Sequence, residues 1–179
     1  MKFVEQDVKK VLVSSEEIEN RTLEIAQELE KDYEGKEPIL LCLLNGALPF
    51  MATLLRKIRT HVEYQCVKVS SYEGTSSTGN VSFGSFDVAK LKDRNILIVE
   101  DIVDTGLTIK KVNEYLYSIG AKSVEVITLL DKPSRRKVEV YPKYVGFVVP
   151  NEFVIGFGLD YNEKYRNLPY VGVLKEEAI

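Results

Sequence analysis

The fold is decided by the stretch Asn95-Ile96-Leu97-Ile98-Val99-Glu100-Asp101-Ile102-Val103-Asp104-Thr105-Gly106-Leu107-Thr108. Its unbroken apolar start is typical of a strand that is buried on both faces of a parallel sheet. Two adjacent acids follow at the carboxyl end of this strand, the position where open α/β sheets bind ligands. A third acid, a glycine and two threonines then lead into a helix, which we predict from about Thr105 to Ile119, ending at Gly120.

The residues that follow the strand are suited to binding a phosphorylated sugar. Main-chain N–H groups at the start of a helix, together with the hydroxyls of Thr105 and Thr108, form a natural site for a phosphate. Glu100 and Asp101 could bind sugar hydroxyls, or a magnesium ion that is shared with ligand oxygens. The alternative is that Asp104 only caps the helix and that the acid pair forms a solvated turn. The whole combination of residues favours a ligand site.

Strands and helices alternate on both sides of this stretch. Ser14 and Glu17 form a capping box that begins a helix, and a second helix is predicted after Asn45-Gly46. Further strands are predicted at residues 38–44, 62–70, 123–130, 145–149, 154–157 and 171–174. The pattern predicts an α/β fold with a mostly parallel, doubly wound sheet flanked by helices, and a small hood lobe from the termini. We expect one domain over residues 1–179, with a core of about 35–145.

The composition is that of a soluble globular protein, with 179 residues, 45% hydrophobic and 28% charged. The net charge of −3 argues weakly against nucleic acid as a partner. No segment resembles a signal peptide or a membrane span, so we expect a cytoplasmic protein with no membrane partner. Cys42 and Cys66 lie in apolar runs and are expected to be small buried side chains rather than a disulfide or metal pair.

The sequence Val-Glu-Asp-x-x-Asp-Thr-Gly-x-Thr after an apolar strand resembles the phosphoribosyl pyrophosphate loop of the type I phosphoribosyltransferases. The flanking residues resemble the hypoxanthine-guanine branch of that family. The resemblance implies that Glu100 and Asp101 hold the ribose hydroxyls. It places Asp104 near N7 of a purine as proton acceptor or donor. Asp104 would also belong to the phosphoribosyl pyrophosphate site, in which the 5′-phosphate would be bound by Thr105, Gly106, Leu107 and Thr108.

The same resemblance implies a pyrophosphate site. Leu44-Asn45-Gly46 is similar to the pyrophosphate-binding loop, in which the peptide before the second residue is cis in this family. Asn45 stands where many relatives carry Lys or Arg, so any charge from that side chain is missing. Arg166 matches an arginine that binds pyrophosphate. The alternatives are a plain strand-to-helix turn at Asn45-Gly46 and a salt bridge at the rim for Arg166.

Four further residues match the purine site of the family. Lys132 matches the lysine that meets the 6-oxo group, Phe153 the aromatic that stacks on the base, and Val154 the main chain that reads the ring edge. Asp160 matches an acid at the purine site that also binds magnesium, which makes Glu100, Asp101 and Asp160 the expected metal ligands. Taken singly, Lys132 could be a surface lysine and Phe153 a core residue.

Ser71-Tyr72 and the polar, glycine-bearing run after it are similar to the flexible loop that closes over the site in this family. Such a closure would exclude water from the reaction. The alternative is an ordinary hairpin tip, and the composition of the run fits both.

The resemblance implies a purine salvage enzyme. It would transfer the phosphoribosyl group from phosphoribosyl pyrophosphate to hypoxanthine or guanine with Mg²⁺, as a homodimer or homotetramer. The alternatives are a xanthine- or uracil-directed enzyme of the same family, and a non-catalytic regulator that binds nucleic acid and senses phosphoribosyl pyrophosphate. The regulator is disfavoured because the chain has no room for an added helix-turn-helix. His61, the only histidine, is expected to be exposed or capping.

Overall fold

A six-stranded sheet forms the centre of the protein in the computed structural model, which describes residues 4–71 and 81–178. The strands, numbered along the chain, are β1 (Val8–Val13), β2 (Ile39–Leu44), β3 (Glu63–Ser71), β4 (Val81–Phe83), β5 (Asn95–Val103), β6 (Ser123–Asp131), β7 (Tyr144–Val148), β8 (Val154–Ile155) and β9 (Val171–Leu174). The central sheet has the order β4-β3-β2-β5-β6-β7, and only the β3–β4 pair is antiparallel. The predicted parallel sheet is therefore confirmed.

Helices cover both faces of this sheet. They are α1 (Ser15–Asp32), α2 (Leu48–Leu55) and α3 (Leu107–Ser118). Alternate residues of β2 belong to two separate apolar clusters: Leu40 and Cys42 pack with α1 and α2, whereas Ile39 and Leu41 pack on the side of α3. A strand buried on both faces in this way needs the continuous apolar run seen in its sequence. The doubly wound arrangement that the sequence predicts is thus observed.

The first helix begins where its capping box predicts. The main-chain N–H of Glu17 donates to Ser14 Oγ at 3.2 Å, and the N–H of Ser14 donates to Glu17 Oε2 at 2.8 Å. The helix ends at Asp32, before Gly35, which adopts a φ of +70° in the turn that follows. These signals set the two ends of α1, and its apolar residues Ile18, Ile25 and Leu29 pack against one face of the sheet.

A second, three-stranded sheet of order β1-β9-β8 joins the two ends of the chain. All of its pairs are antiparallel, and it forms the small hood that was expected from the termini. Strand β1 was not predicted. Within the described residues, no helix is both long and apolar enough to cross a bilayer.

The carboxyl ends of β2 and β5 meet at a topological switch point. These strands are neighbours, yet the chain leaves β2 through α2 towards β3 and leaves β5 through α3 towards β6, on the other side. Crevices at such points are the usual ligand sites of open α/β sheets. The ends of the two strands and the residues after them form Leu44-Asn45-Gly46 and the stretch from Glu100 to Thr108, so the topology brings the two main sequence motifs together.

Candidate active site

The end of β5 passes directly into an exposed helix start. The strand continues through both acids to Val103, and the N-cap of α3 is Gly106, with a φ of +81° and no side-chain cap. Asp104 is therefore not the cap of this helix. Because the positive φ of Gly106 lies outside the right-handed helical region, the helix starts at Leu107, two residues later than predicted. The N–H of Leu107 donates to Thr105 Oγ1 at 3.4 Å, and the N–H groups that follow it in the first turn can bind a ligand.

A cavity of about 230 Å³ lies over this helix start. Its polar lining contains Glu100, Asp101, Asp104, Thr105 and Thr108, and Gly106 and three apolar residues complete it. Leu107 does not line this cavity, and its side chain is exposed. Only its main chain could meet a phosphate here. The cavity thus combines the sugar-binding and phosphate-binding residues that the motif predicts.

The two acids of this cavity are adjacent in the strand, and Glu100 is buried whereas Asp101 is half-buried. Burial, and then the neighbouring charge of Asp101, raises the pKa of Glu100 well above its ordinary value. Burial also raises the pKa of Asp101. Three weaker effects lower it: the hydrogen bond with Glu100, the hydrogen bond from the N–H of Ile102, and the positive charge of Arg166. Two carboxyl groups in such surroundings are suited to a cation or to hydroxyl donors.

The third expected metal ligand, Asp160, is paired with an arginine. Asp160 Oδ1 is 2.9 Å from Arg166 Nη2, and Asp160 Oδ2 accepts the main-chain N–H of Glu163 at 2.9 Å. Among residues 4–71 and 81–178, no three acidic, histidine or cysteine side chains converge on one point. Glu100, Asp101 and Asp160 therefore do not form the expected set of metal ligands, and the carboxylate of Asp160 forms a salt bridge with Arg166 instead. The acid pair alone fits a magnesium ion that takes its other ligands from substrate oxygens and water.

Replacing Glu100 by Gln is expected to raise the melting temperature of the ligand-free protein at pH 7.5 by a few degrees. Because the pKa of Glu100 is raised by folding, the folded state holds its proton more tightly, and stability is lost as pH rises above the unfolded value of 4.5. About 1 kcal/mol moves the melting temperature of a domain of this size by about 2–4 °C. Thermal melts in a chelator at pH 7.5 and pH 4 test this.

The gain from the Glu100→Gln change should shrink at pH 4, where the native carboxyl is already protonated. The exposed Glu139→Gln variant is the matched control and should show no such pattern. An equal gain at both pH values would contradict the assigned burial cost.

The loop after β2 is packed tightly against the acids. The Leu44–Asn45 peptide is cis, as it is in the family that the sequence resembles. A Cβ atom on Gly46 would overlap the carboxylate of Asp101, and a Cβ on Gly158, whose φ is +101°, would overlap the carbonyl oxygen of Gly46. Only glycine permits these approaches. The two glycines therefore join the loop after β2, the acid pair and the segment before Asp160.

Arg166 reaches into the same region from the hood side. Its Nη1 donates to the carbonyl of Gly158 at 2.8 Å, and its Nη2 contacts Asp160 and Glu163 at 2.9 and 3.1 Å. Within the described part of the chain, its buried Nε has no hydrogen-bond partner. The arginine is thus in the rim salt bridge considered above, but it keeps one donor for a ligand.

A second cavity, of about 420 Å³, lies beside the first. Lys132 is one of its walls: the side chain is 6% exposed, and its Nζ donates to the carbonyl of Glu152 at 2.6 Å. Burial is the main cause that lowers the pKa of Lys132. Lys132 is therefore not a surface lysine. The cavity is lined by Ile102, Asp104, Lys132, Arg135, Asn151, Glu152, Phe153, Val154 and Leu159.

The aromatic wall of this cavity is Phe153. Its side chain is 45% exposed, so it is not a core residue, and it meets the ring of Tyr161 edge-on, at 5.5 Å between centroids and 89° between planes. Val154 is buried and lines the same cavity. Asp160 does not line it, because its carboxylate is turned towards Arg166. The expected purine residues thus meet at one cavity, except for Asp160.

Several lining residues were missed by the sequence analysis. Ile102, Asn151 and Leu159 carry no chemical signal of their own, and Arg135 stood in a polar run that suggested only surface. The need for glycine at position 158 follows only from its close approach to the carbonyl of Gly46, which the sequence does not reveal. Ser71 is the last residue of β3, paired with Val81, whereas Tyr72 lies outside the described residues. The closing loop therefore stays a prediction.

Comparison with known proteins agrees with this geometry. The family profile described as "Phosphoribosyl transferase domain" matches residues 12–162. The chain is 50% identical over 176 residues to the hypoxanthine-guanine phosphoribosyltransferase of Streptococcus thermophilus, covering 98% of each. It is 52% identical over 178 residues to that of Lactococcus lactis, covering 99% of this chain and 97% of the relative.

Solved structures show the same likeness. A crystal structure of a hypoxanthine phosphoribosyltransferase from Staphylococcus aureus has a TM-score of 0.92 and 43% sequence identity, covering 100% of this chain and 99% of that one. The switch-point crevice with its uncapped helix start and these likenesses define the class of protein as a phosphoribosyltransferase. Within that class, the chain belongs to the hypoxanthine-guanine phosphoribosyltransferase family.

Proposed function

We propose that this protein transfers the 5-phosphoribosyl group from phosphoribosyl pyrophosphate to hypoxanthine or guanine, giving IMP or GMP and pyrophosphate. The single observation that carries this proposal is the position of Asp104. Its side chain lines both cavities, the one over the helix start and the one with Lys132 and Phe153. The new bond to the ribose must form between the sugar phosphate and the base, and Asp104 lies next to that position. A general acid or base is useful at that point.

The smaller cavity supports binding of the ribose phosphate. Main-chain N–H groups at the start of α3 and the hydroxyls of Thr105 and Thr108 would bind the 5′-phosphate, because helix starts favour anions. Glu100 and Asp101 would accept hydrogen bonds from the ribose hydroxyls. Such bonds would favour the ionised form of the acid pair, which burial otherwise opposes.

The larger cavity supports selection of 6-oxopurines. The ammonium of Lys132 offers only donors, so it pairs with a 6-oxo group and opposes the 6-amino group of adenine. In the described structure, one of these donors is used by the carbonyl of Glu152. Phe153 would stack on the base, and the main chain of Val154 would read its edge. A site built on such a polar contact can discriminate by about 10⁴-fold.

The loop after β2 and Arg166 support release of pyrophosphate. The free Nε of Arg166 and the main-chain N–H groups of Asn45 and Gly46 would bind the leaving group, with no contribution of charge from Asn45. Glu100 and Asp101 are the residues that would hold Mg²⁺ together with substrate oxygens. When bound, the ion neutralises part of the charge that develops on the pyrophosphate.

Turnover with separate bases tests the proposal. Purified protein with phosphoribosyl pyrophosphate and Mg²⁺ is offered hypoxanthine, guanine, xanthine, adenine and uracil, and nucleotide formation is measured for each. We expect hypoxanthine and guanine to react and adenine to be at least about 10⁴-fold poorer in kcat/KM. If only xanthine reacts, the range of accepted 6-oxopurines is narrower than proposed. If only uracil reacts, the assignment of Lys132 and Phe153 to a purine site is wrong. If nothing reacts, the proposed activity is wrong.

A further inference from the structure

The carboxylate of Asp104, which is proposed to contact the purine, forms an ion pair with Arg135. Arg135 follows β6 at the end of a short 3-10 turn, Pro133–Arg135, and lines the larger cavity. Its Nε lies 2.7 Å from Asp104 Oδ1, so the two side chains form an ion pair across the wall of the cavity. Asp104 Oδ1 is therefore covered by a cation of the chain itself.

This ion pair is of a kind that a ligand can displace. The Arg135 side chain is 47% exposed, so water screens the attraction. Among the residues described, none makes a hydrogen bond to Asp104 Oδ1, because the N–H of Arg135 Nε does not point at it. The oxygen can thus gain a well-directed hydrogen bond from an incoming ring N–H. That gain favours exchange of the arginine for a purine.

Arg135 has a second contact that could hold it after the exchange. Its Nη1 lies 3.4 Å from Asn151 Oδ1, on the hood side of the cavity. The guanidinium therefore spans the cavity from Asp104 to Asn151. The same cation acts on Lys132, since its charge adds to the burial that lowers the pKa of that lysine. Arg135 faces both polar groups that are expected to bind the base.

The neighbouring arginine has a different position. Arg136 Nη1 donates to the main-chain carbonyl of Asp104 at 3.0 Å, and its Nη2 pairs with Asp131. Its side chain is 12% exposed, so it belongs to the framework. Of these two adjacent arginines, one fixes the backbone of Asp104 and the other covers its carboxylate.

We propose that Arg135 is a positioning residue that competes with the purine for Asp104 and so sets the apparent affinity for the base. This inference rests on the proposed function. In the free protein the guanidinium covers the carboxylate, and the base binds by replacing it. Phosphoribosyl pyrophosphate, which binds in the other cavity, does not have to displace Arg135.

The test compares the native protein with the Arg135→Ala variant. KM for hypoxanthine and for guanine should fall by about two- to fivefold, the most that an exposed ion pair supports. KM for phosphoribosyl pyrophosphate and the melting temperature should stay unchanged, because the residue is exposed and its contacts lie in the base cavity. A purely structural role would not separate the two KM values in this way.

Lys137→Ala is the matched control, since it removes one exposed positive charge from the same segment. It should leave both KM values unchanged. A higher KM for the base in Arg135→Ala would show that Arg135 binds the purine directly, and this would overturn the inference. Equal KM values in the variant and the native protein would overturn it as well, while the turnover of the native protein still supports the proposed function. No turnover by the native protein would overturn both.

Discussion

Replacing Asp104 by Asn is expected to lower kcat with hypoxanthine and guanine by about 10²–10⁴-fold, the contribution of a positioned general acid or base. The amide has the same shape as the carboxylate, so the cavities should keep their form. It cannot accept the purine proton that must leave when the ribose is attached. Steady-state kinetics with both substrates, together with a thermal melt, measures this effect.

Asp93→Asn provides the control for this change. Asp93 is exposed and has a φ of +57°, which asparagine also tolerates, so kcat should not change. An Asp104→Asn enzyme that retains kcat within about threefold would remove Asp104 from proton transfer.

Replacing Lys132 by Met is expected to lower kcat/KM for hypoxanthine and guanine by about 10–100-fold. Hydrogen bonds from a charged donor contribute about 1.5–3 kcal/mol, and methionine fills a similar volume without any donor. Adenine should lose little, since Lys132 does not favour it, so the preference for 6-oxopurines should narrow. Kinetics with guanine and adenine, in native and variant protein, gives the ratio.

Lys137→Met is the control for this second change, because it makes the same substitution at an exposed position. The Lys132 variant also leaves the carbonyl of Glu152 without its donor, so its melting temperature must be compared with that of the native protein. Unchanged kcat/KM for guanine in a folded Lys132→Met enzyme would refute the role of Lys132 in base choice.

The sequence predicted the parts of the fold that depend on local patterns. The continuous apolar run before Glu100 predicted a buried strand, and the capping box at Ser14 predicted the start of α1, because both signals lie within a few residues. The edge strand β1 was missed. Its pairing with β9 has two register irregularities, which break the alternation that identifies a strand.

The candidate site was predicted to the extent that one short segment carries it. Glu100, Asp101 and Asp104 stand together in the sequence, so their pattern could be recognised directly. The contact of Gly158 with Gly46 and the ion pair of Arg135 with Asp104 join segments that are far apart in the chain. Such contacts depend on how β5, β6 and the hood pack, and no local pattern specifies them.

The register of β5 and β6 has a consequence for how base choice can change. Val103 pairs with Asp131, so Asp104 and Lys132 each come one residue after paired positions on neighbouring strands. Neighbouring strands lie about 4.8 Å apart, so the sheet fixes the distance between Asp104 and Lys132. Asp104 would meet the imidazole side of a purine, and Lys132 would meet its 6-position. The opposite wall of the base cavity comes from the hood segment around Phe153, whose position is not set by the pairing of β5 and β6. Substitutions in the hood can thus change the preference among purines, while the distance between Asp104 and Lys132 stays the same.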